Sequence, residues 1–206
     1  MSNADPQLLN RAAECYQRLD MSAEAARCYR EAGSHRQAAK LHERLGHYSE
    51  AAADYARAGL PDLAAWLLVH HAGDSAAARK RLALGWQPPS GAAAIPAVTP
   101  LRRRLILARC DVAEGRSPAT GLAVLADACT ELAKYSPLTD QNIELWAVAL
   151  AEAMDRDDQV ALVFAAAVRG RRPGAAQRWR TWSHQVLHTD LVLPPAEPLA
   201  ADAPVR

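Results

Sequence analysis

Five arginines and two tryptophans near the C-terminus form the one local basic cluster of this sequence. The arginines fall within residues 169–180, where there is no acidic residue. The members of the cluster are Arg169, Arg171, Arg172, Arg178, Trp179, Arg180 and Trp182. Guanidinium groups bind phosphates and aromatic rings stack on bases, so one hypothesis is binding of single-stranded nucleic acid. The other is structural: both tryptophans share a helical stripe with Ala175 and Val186, which predicts rings in the core and arginines in solvent or paired with nearby aspartates.

Two pairs of histidines have spacings that bear on metal binding. His70 and His71 are adjacent, and adjacent side chains on a helix point about 100° apart, too far to ligate one ion together. His184 and His188 have the i, i+4 spacing of helical ligands, but Gln185 stands where a zinc protease carries its glutamate. No third ligand is evident. We therefore expect neither a metal site nor a cofactor.

Cysteine spacing and the familiar catalytic motifs give no sign of an enzyme. The four cysteines, Cys15, Cys28, Cys110 and Cys129, lack CxxC spacing, which favours buried thiols over disulfides. There is no GxxxxGK[ST] phosphate loop, no GxGxxG after a strand and no GxSxG nucleophile elbow. We accordingly expect a protein that does not catalyse a reaction.

The composition predicts an all-α protein. Alanine fills 46 of the 206 positions and phenylalanine only one, which favours closely packed helices over a sheet core. A net charge of +1 provides no overall field that would attract nucleic acid or a membrane. No apolar run reaches the roughly 18 residues of a membrane span, and the N-terminus lacks the order of a signal peptide, so we expect a cytoplasmic protein.

An internal repeat runs through the first half of the chain, because pairs of alanines recur every thirteen residues. The six pairs are Ala12-Ala13, Ala25-Ala26, Ala38-Ala39, Ala51-Ala52, Ala64-Ala65 and Ala77-Ala78. Each copy predicts one helix of about ten residues, too short to be stable unless it stacks on its neighbours. The copies end at Asp20, Gly33, Gly46, Gly59, Ala72 and Gly85, and glycine there can adopt the left-handed conformation that ends a helix.

Side chains near the copy boundaries predict the helix starts. The candidate N-caps are Ser34, Ser49, Asp62 and Ser75. Ser34 and Gln37 have the spacing of a capping box. Cys15 and Cys28 occupy one repeat position and are predicted to be small core residues.

The thirteen-residue copies also alternate with a longer period. The residue before the terminator alternates between leucine and alanine, as Leu19, Ala32, Leu45 and Ala58, which predicts a 26-residue antiparallel hairpin as the structural unit. The AAxxYxxxG phrase of these copies resembles the α-solenoids of the tetratricopeptide, clathrin-arm and soluble NSF attachment protein type. The resemblance implies an α-solenoid of stacked hairpins. The unit differs from the 34-residue tetratricopeptide repeat, so no binding residue of that family is carried over.

The two sides of the repeat helices differ in character. Their outward positions carry mixed charges and predict a solvated face, with Glu14, Gln17, Arg18, Arg27, Arg30, Glu31, Lys40, Glu43 and Arg44. We therefore expect Arg30→Ala to be nearly silent. Leucine in place of Ala39 or Ala52 should destabilise the fold by about 1–3 kcal/mol.

The fifth repeat helix is apolar almost all round over residues 63–71. Such a helix should be covered on both faces. The cover is either the C-terminal half of the chain or a partner protein that binds at Trp66, His70 and His71, since an exposed tryptophan often anchors an interface.

The domain organisation follows from these patterns. Residues 1–86 form the solenoid, 87–100 a proline-rich connector, 101–193 a C-terminal array of five helices and 194–206 a disordered tail. The phrases of residues 155–182 resemble helical modules encoded beside bacterial MoxR-type AAA+ ATPases and von Willebrand A proteins. This resemblance implies an accessory protein of such an assembly.

The sequence thus predicts a non-catalytic protein–protein interaction or scaffold module whose partner is another protein. Binding is expected along the groove between hairpins or through the C-terminal array. The predicted protein-binding residues are Trp66, His70 and His71 of the fifth repeat helix and the cluster Arg169, Arg171, Arg172, Arg178, Trp179, Arg180 and Trp182. The alternative is nucleic-acid binding by the cluster at residues 169–180.

Overall fold

The computed structural model describes residues 5–84, 100–134, 141–191 and 193. Over these ranges the chain forms eleven α-helices and no strand, which confirms the all-α prediction. The helices are α1 (Pro6–Arg18), α2 (Ser22–Glu31), α3 (His35–Arg44), α4 (Tyr48–Arg57), α5 (Pro61–His70), α6 (Ser75–Ala83), α7 (Pro100–Ala113), α8 (Ala119–Ala133), α9 (Gln141–Ala153), α10 (Asp157–Arg169) and α11 (Ala175–Leu187). None of them is both long enough and apolar enough to cross a membrane. The chain divides into two compact units, Met1–Arg116 and Ser117–Arg206.

The six copies of the repeat coincide with α1 to α6. Each helix packs on the next in the chain, so the first unit is a helical array built from one repeated contact. The alanine pairs lie at these contacts: Ala25, Ala26, Ala38 and Ala39 are fully buried. A side chain this small lets neighbouring helices approach closely, which is how ten-residue helices obtain the tertiary packing they need.

The turns between copies use the left-handed backbone, as the glycine spacing predicts. Asp20, Gly33, Gly46 and Gly59 have φ between 56° and 76°. In the fifth copy the left-handed residue is Gly73, with φ 69°, and not Ala72. Because alanine pays a steric penalty in this conformation, the turn moves by one residue to the neighbouring glycine.

The predicted capping box at the start of α3 does not form. Ser34 is the N-cap residue, but its side chain makes no capping hydrogen bond. The hydroxyl instead donates to Oδ1 of Asn10 in α1, at 2.7 Å. Ser34 therefore ties α3 to α1.

The other predicted N-caps are also misplaced by one or two residues. Ser49 and Asp62 lie inside α4 and α5, which begin at Tyr48 and Pro61. At α6 the cap is Asp74 and not Ser75, because the Asp74 carboxylate accepts a hydrogen bond from a first-turn amide at 2.8 Å.

Helix α7 belongs to the repeat unit and not to the C-terminal array. It packs against α5 and α6, with Leu105, Ile106 and Cys110 fully buried. Arg102 of α7 also forms an ion pair with Asp62 of α5. The unit thus ends at Arg116, whereas the sequence places the boundary in the 87–100 connector. Residues 87–99 of that connector and the predicted tail at 194–206 lie outside the described residues.

The second unit contains the remaining four helices. Helix α8 packs on α9 and α10, and α10 also packs on α9 and α11. Where α10 ends against α8, a Cβ on Gly170 would lie 1.9 Å from the carbonyl oxygen of Leu132. Only glycine fits at this crossing.

Candidate functional site

A tyrosine hydroxyl links neighbouring repeat helices at a fixed register. Tyr29 donates to Oε1 of Gln17 at 2.8 Å, and Tyr55 donates to Oε2 of Glu43 at 2.9 Å. Each acceptor lies twelve residues before its tyrosine, and the two pairs are 26 residues apart. Burial, with the adjacent Glu43 carboxylate, raises the pKa of Tyr55, so its hydroxyl stays a donor. The contact follows the 26-residue hairpin period that the sequence predicts.

An ion cluster is built around Asp54, whose side chain is fully buried. Arg30 donates to it through Nε at 3.1 and 3.2 Å and through Nη2 at 2.9 Å. Arg57 Nη1 and His42 Nδ1 lie at 3.0 and 2.9 Å from the same carboxylate. We call these four residues the Asp54 cluster. It joins α2, α3 and α4.

The charges of the Asp54 cluster oppose the effect of burial. Burial alone would raise the pKa of Asp54, but the hydrogen bonds and charge of Arg30, helped by His42, bring it below its ordinary value. The carboxylate is therefore ionised and paired. The sequence places Arg30 on a solvated face, and the structure corrects this: Arg30 reaches across α3 to a buried partner.

An open groove lies between α1 and α3. This place corresponds to that of the Asp54 cluster, shifted by one repeat copy toward the N-terminus. Its volume is about 540 Å³. The residues that line it are Gln17, Tyr29, Gln37, Lys40, Leu41, Glu43 and Arg44. We call it the α1–α3 groove.

The register of the repeat explains why the α1–α3 groove is open while the side chains of the Asp54 cluster fill the corresponding place. Thirteen residues before Asp54 stands Leu41, and thirteen before Arg30 stands Gln17. A leucine offers no counter-charge, and the side chain of Gln17 is engaged by the Tyr29 hydroxyl. No arginine therefore spans the space between α1 and α3, and Leu41 forms an apolar floor.

The charge in the groove is mainly positive. Lys40 and Arg44 are exposed one helical turn apart, and neither forms an ion pair among the described residues. The one acid of the lining, Glu43, accepts the Tyr55 hydrogen bond. Two free cations beside an apolar floor and two amide side chains can bind an extended peptide that carries carboxylates.

The structure places Trp66 in the core, where it is 6 % exposed. Helix α5 packs against α4, α6 and α7, so its apolar faces are covered from within the chain. Trp66 is therefore not an exposed anchor. Of the two predicted ways to cover α5, packing within the chain is the one that the structure shows. His70 stacks on Trp66 with ring centroids 5.0 Å apart, and the exposed His71 stacks on Tyr48 at 4.2 Å.

Trp179 and Trp182 are core residues of the second unit. They are 4 % and 8 % exposed and stack on each other at 5.5 Å, beside Phe164. The Trp182 indole donates to Oε1 of Glu152, and that of Trp179 to a backbone carbonyl after α11, both at 2.6 Å. These rings are unavailable to stack on bases. The fourth member of the predicted stripe, Val186, is exposed.

The arginines of the 169–180 cluster lie in different surroundings. Arg178 forms a bidentate pair with the buried Glu144, with two contacts of 2.8 Å. Arg172 contacts carbonyl oxygens at the end of α8 at 3.4 Å. The other three, Arg169, Arg171 and Arg180, are exposed. Two of the five charges are thus committed to the fold, which weakens the nucleic-acid hypothesis.

The remaining sequence candidates are not brought together. Among the described residues, no group of three histidines, cysteines or acids is placed to hold a metal ion. His184 Nδ1 lies 3.3 Å from Oδ1 of Asp190, at the exposed end of α11. Cys28 is buried as predicted, whereas Cys15 is exposed, because α1 packs mainly on α2.

Sequence reasoning missed the Asp54 cluster, although a signal was present. Helices α2, α3 and α5 carry Cys28, Leu41 and Leu67 at the position of Asp54, and all three are buried. An acid at a core position of a repeat requires a buried cation. The search for that cation would have led to Arg30.

Comparisons of the chain with models of known protein families, with curated proteins and with solved structures find no match.

Proposed function

We propose that this chain is a non-catalytic protein–protein interaction module, and that the α1–α3 groove binds an extended segment of another protein. The observation that carries the proposal is the groove itself, an open space of about 540 Å³ that crosses consecutive repeat helices. Stacked short helices expose much surface for their mass, which suits binding an extended chain.

The chemistry of the groove favours a segment with acidic side chains. Lys40 and Arg44 outnumber the one acid of the lining, Glu43, and Gln37 offers an amide that can bond to a peptide backbone. The buried leucine and tyrosine of the floor favour an apolar residue between the acids. The filled Asp54 cluster offers no such space, so binding is directed to one side of the array.

The biological setting of this module is also a proposal. The resemblance of residues 155–182 to modules beside AAA+ ATPases supports the role of an accessory subunit in a bacterial multi-protein assembly. No observation in the structure favours nucleic acid over protein as the partner.

The test is selection of binding peptides with the purified chain from a displayed random library, followed by affinity measurement. We expect selected peptides to be enriched in Asp and Glu. A Lys40→Ala, Arg44→Ala variant should weaken their binding by about 2- to 30-fold, since each exposed pair contributes about 0.2–1 kcal/mol.

The matched control is an Arg11→Ala, Arg27→Ala variant. It removes two exposed cations from α1 and α2 that do not line the groove, so affinity should stay unchanged. Equal losses in both variants would show only a general effect of charge and would overturn the groove as the site. Selected peptides without acids would overturn the proposed chemistry.

A further inference from the structure

A second open groove lies between α4 and α6, and α5, which packs on both helices, contributes to its floor. Its volume is about 290 Å³. The residues that line it are Ser49, Ala52, Ala53, Leu68, Ala77, Lys80, Arg81 and Leu84. We call it the α4–α6 groove. It shares no residue with the α1–α3 groove, so the two grooves can be tested independently.

The repeat places the α4–α6 groove one 26-residue hairpin after the Asp54 cluster. Arg30, His42, Asp54 and Arg57 of that cluster correspond to Ala56, Leu68, Lys80 and Ala83. An alanine replaces each arginine and is too short to span from one helix to the other. The leucine that replaces the histidine makes the floor apolar, and the lysine that replaces the aspartate reverses the charge. The repeat therefore leaves this place open, with a cation where the Asp54 cluster has its acid.

The charge of the α4–α6 groove is positive, because its lining contains two cations and no acid. Lys80 is exposed and Arg81 is partly buried. Neither side chain forms an ion pair or a hydrogen bond with any described residue. The neighbouring Arg79, in contrast, pairs with Asp111 and Glu114 of α7. Within the described part of the chain, the two cations of the groove thus have no counter-ion.

The walls of the α4–α6 groove are apolar. Ala52 is 2 % exposed, and Leu68 packs against the same apolar cluster of the core. Leu84, directly after α6, is 61 % exposed. Ser49 is the one uncharged polar side chain of the lining, whereas the α1–α3 groove has two amides. A peptide backbone would find few partners here and would lose hydrogen bonds to water, whereas an alkyl chain would bury apolar surface without that cost.

We propose that the α4–α6 groove binds an aliphatic carboxylate, with its carboxylate at Lys80 and Arg81 and its alkyl chain along the alanines and Leu68. A guanidinium presents parallel N–H donors that match the two carboxylate oxygens, and an ammonium group adds a further charge-assisted hydrogen bond. The volume of about 290 Å³ is close to the lower end of the range of roughly 300–1,000 Å³ for ligand pockets, which favours a chain of short or medium length.

The first test is a titration of the intact, ¹⁵N-labelled chain at pH 7 with sodium octanoate, sodium acetate and 1-octanol. Octanoate should shift amide signals of α4 and α6 in a saturable way and leave those of α8 to α11 unchanged. Acetate lacks the alkyl chain and should bind at least about 10-fold more weakly, and octanol lacks the charge and should bind about 2- to 30-fold more weakly. From butanoate to hexanoate to octanoate, each added methylene should tighten binding by up to about 4-fold.

The same titrations can refute the proposed chemistry. Equal affinities for acetate and octanoate would overturn the use of the apolar floor. Octanol bound as tightly as octanoate would overturn the role of the two cations. Shifts that extend equally over α8 to α11, or no saturable shift in α4 and α6, would overturn the groove as the site.

Variants of the intact chain test the location of the site. Arg81→Gln should weaken octanoate binding by about 2- to 5-fold, whereas Arg103→Gln, at an exposed position of α7 outside the groove, should leave it unchanged. Ala56→Arg with Lys80→Asp copies the central ion pair of the Asp54 cluster into the groove and should abolish binding. Equal losses in Arg81→Gln and Arg103→Gln, or full binding by the double variant, would contradict the assignment of the site.

Discussion

Replacing Arg30 with alanine should destabilise the first unit even though 38 % of its side chain is exposed. The change removes the guanidinium that makes three of the contacts to the buried Asp54 carboxylate. Breaking a buried ion pair by removing one partner costs about 3–5 kcal/mol. Arg57 and His42 still reach the carboxylate, and solvent screens part of the lost interaction. We therefore expect a loss of about 2–3 kcal/mol in the free energy of unfolding.

The assay is urea unfolding of the intact chain at pH 7, followed by circular dichroism. The matched control is Arg27→Ala, which removes a 71 %-exposed arginine from the same helix and should change stability by less than about 0.5 kcal/mol. A double variant, Arg30→Ala with Asp54→Leu, restores the apolar residue that the repeat carries at this position and should regain most of the loss. If Arg30→Ala were no more destabilising than Arg27→Ala, the role assigned to the Asp54 cluster would be wrong.

The pH dependence of the same variant gives a second check. The folded pKa of Asp54 lies below its ordinary value of 3.8, so the ionised carboxylate stabilises the fold above that pH. This contribution is lost as the pH falls through the lower, folded value. Without Arg30 the pKa of Asp54 in the folded state rises, because the charge and hydrogen bonds that counter the effect of burial are lost. The loss of stability should therefore begin at a higher pH than in the wild type. An unchanged acid transition would contradict this reasoning.

Three further predictions concern packing and thiol exposure. Ala39→Leu should lower the free energy of unfolding by about 1–3 kcal/mol, because Ala39 is fully buried. Ala23→Leu, at an exposed position of α2, should change it little. Equal effects would contradict the assignment of buried and exposed faces to the repeat helices. Gly170→Ala should lower Tm, because its Cβ would overlap a carbonyl oxygen of α8, and an unchanged Tm would show that the crossing can relax. In the native chain, iodoacetamide should label the exposed Cys15, while Cys110, buried and with its pKa raised to about 11, should react only on unfolding, as mass spectrometry would show.

The repeat could be predicted because every copy repeats the same local signals. Alanine pairs at a thirteen-residue spacing and glycines between them specify short helices, their contacts and their turns without long-range information. The helix caps could not be placed as well. Whether Ser34 caps α3 or bonds to Asn10 depends on where α1 lies, which no local pattern contains.

The unit boundary shows a second limit of local reasoning. The proline-rich connector indicates a break in the chain, but a break in the chain is not a break in packing. Helix α7 crosses back to cover α5, whose apolar surface required a cover. The sequence predicts that requirement from residues 63–71 but cannot say which helix meets it.

The candidate site was only partly predictable for a similar reason. The solvated face was expected to contain Lys40 and Arg44, and both are exposed. The same expectation failed at Arg30, because its partner lies 24 residues away and two helices further along. The groove itself results from what is missing between α1 and α3, and single-residue patterns do not reveal an empty space.

The most direct test of the central claim is hydrogen exchange of the intact chain with and without a selected acidic peptide, measured by mass spectrometry. Binding in the α1–α3 groove predicts slower exchange at the end of α1 and along α3, with α8 to α11 unchanged. Protection confined to α8–α11, or no protection at a saturating peptide concentration, would contradict the groove as the binding site.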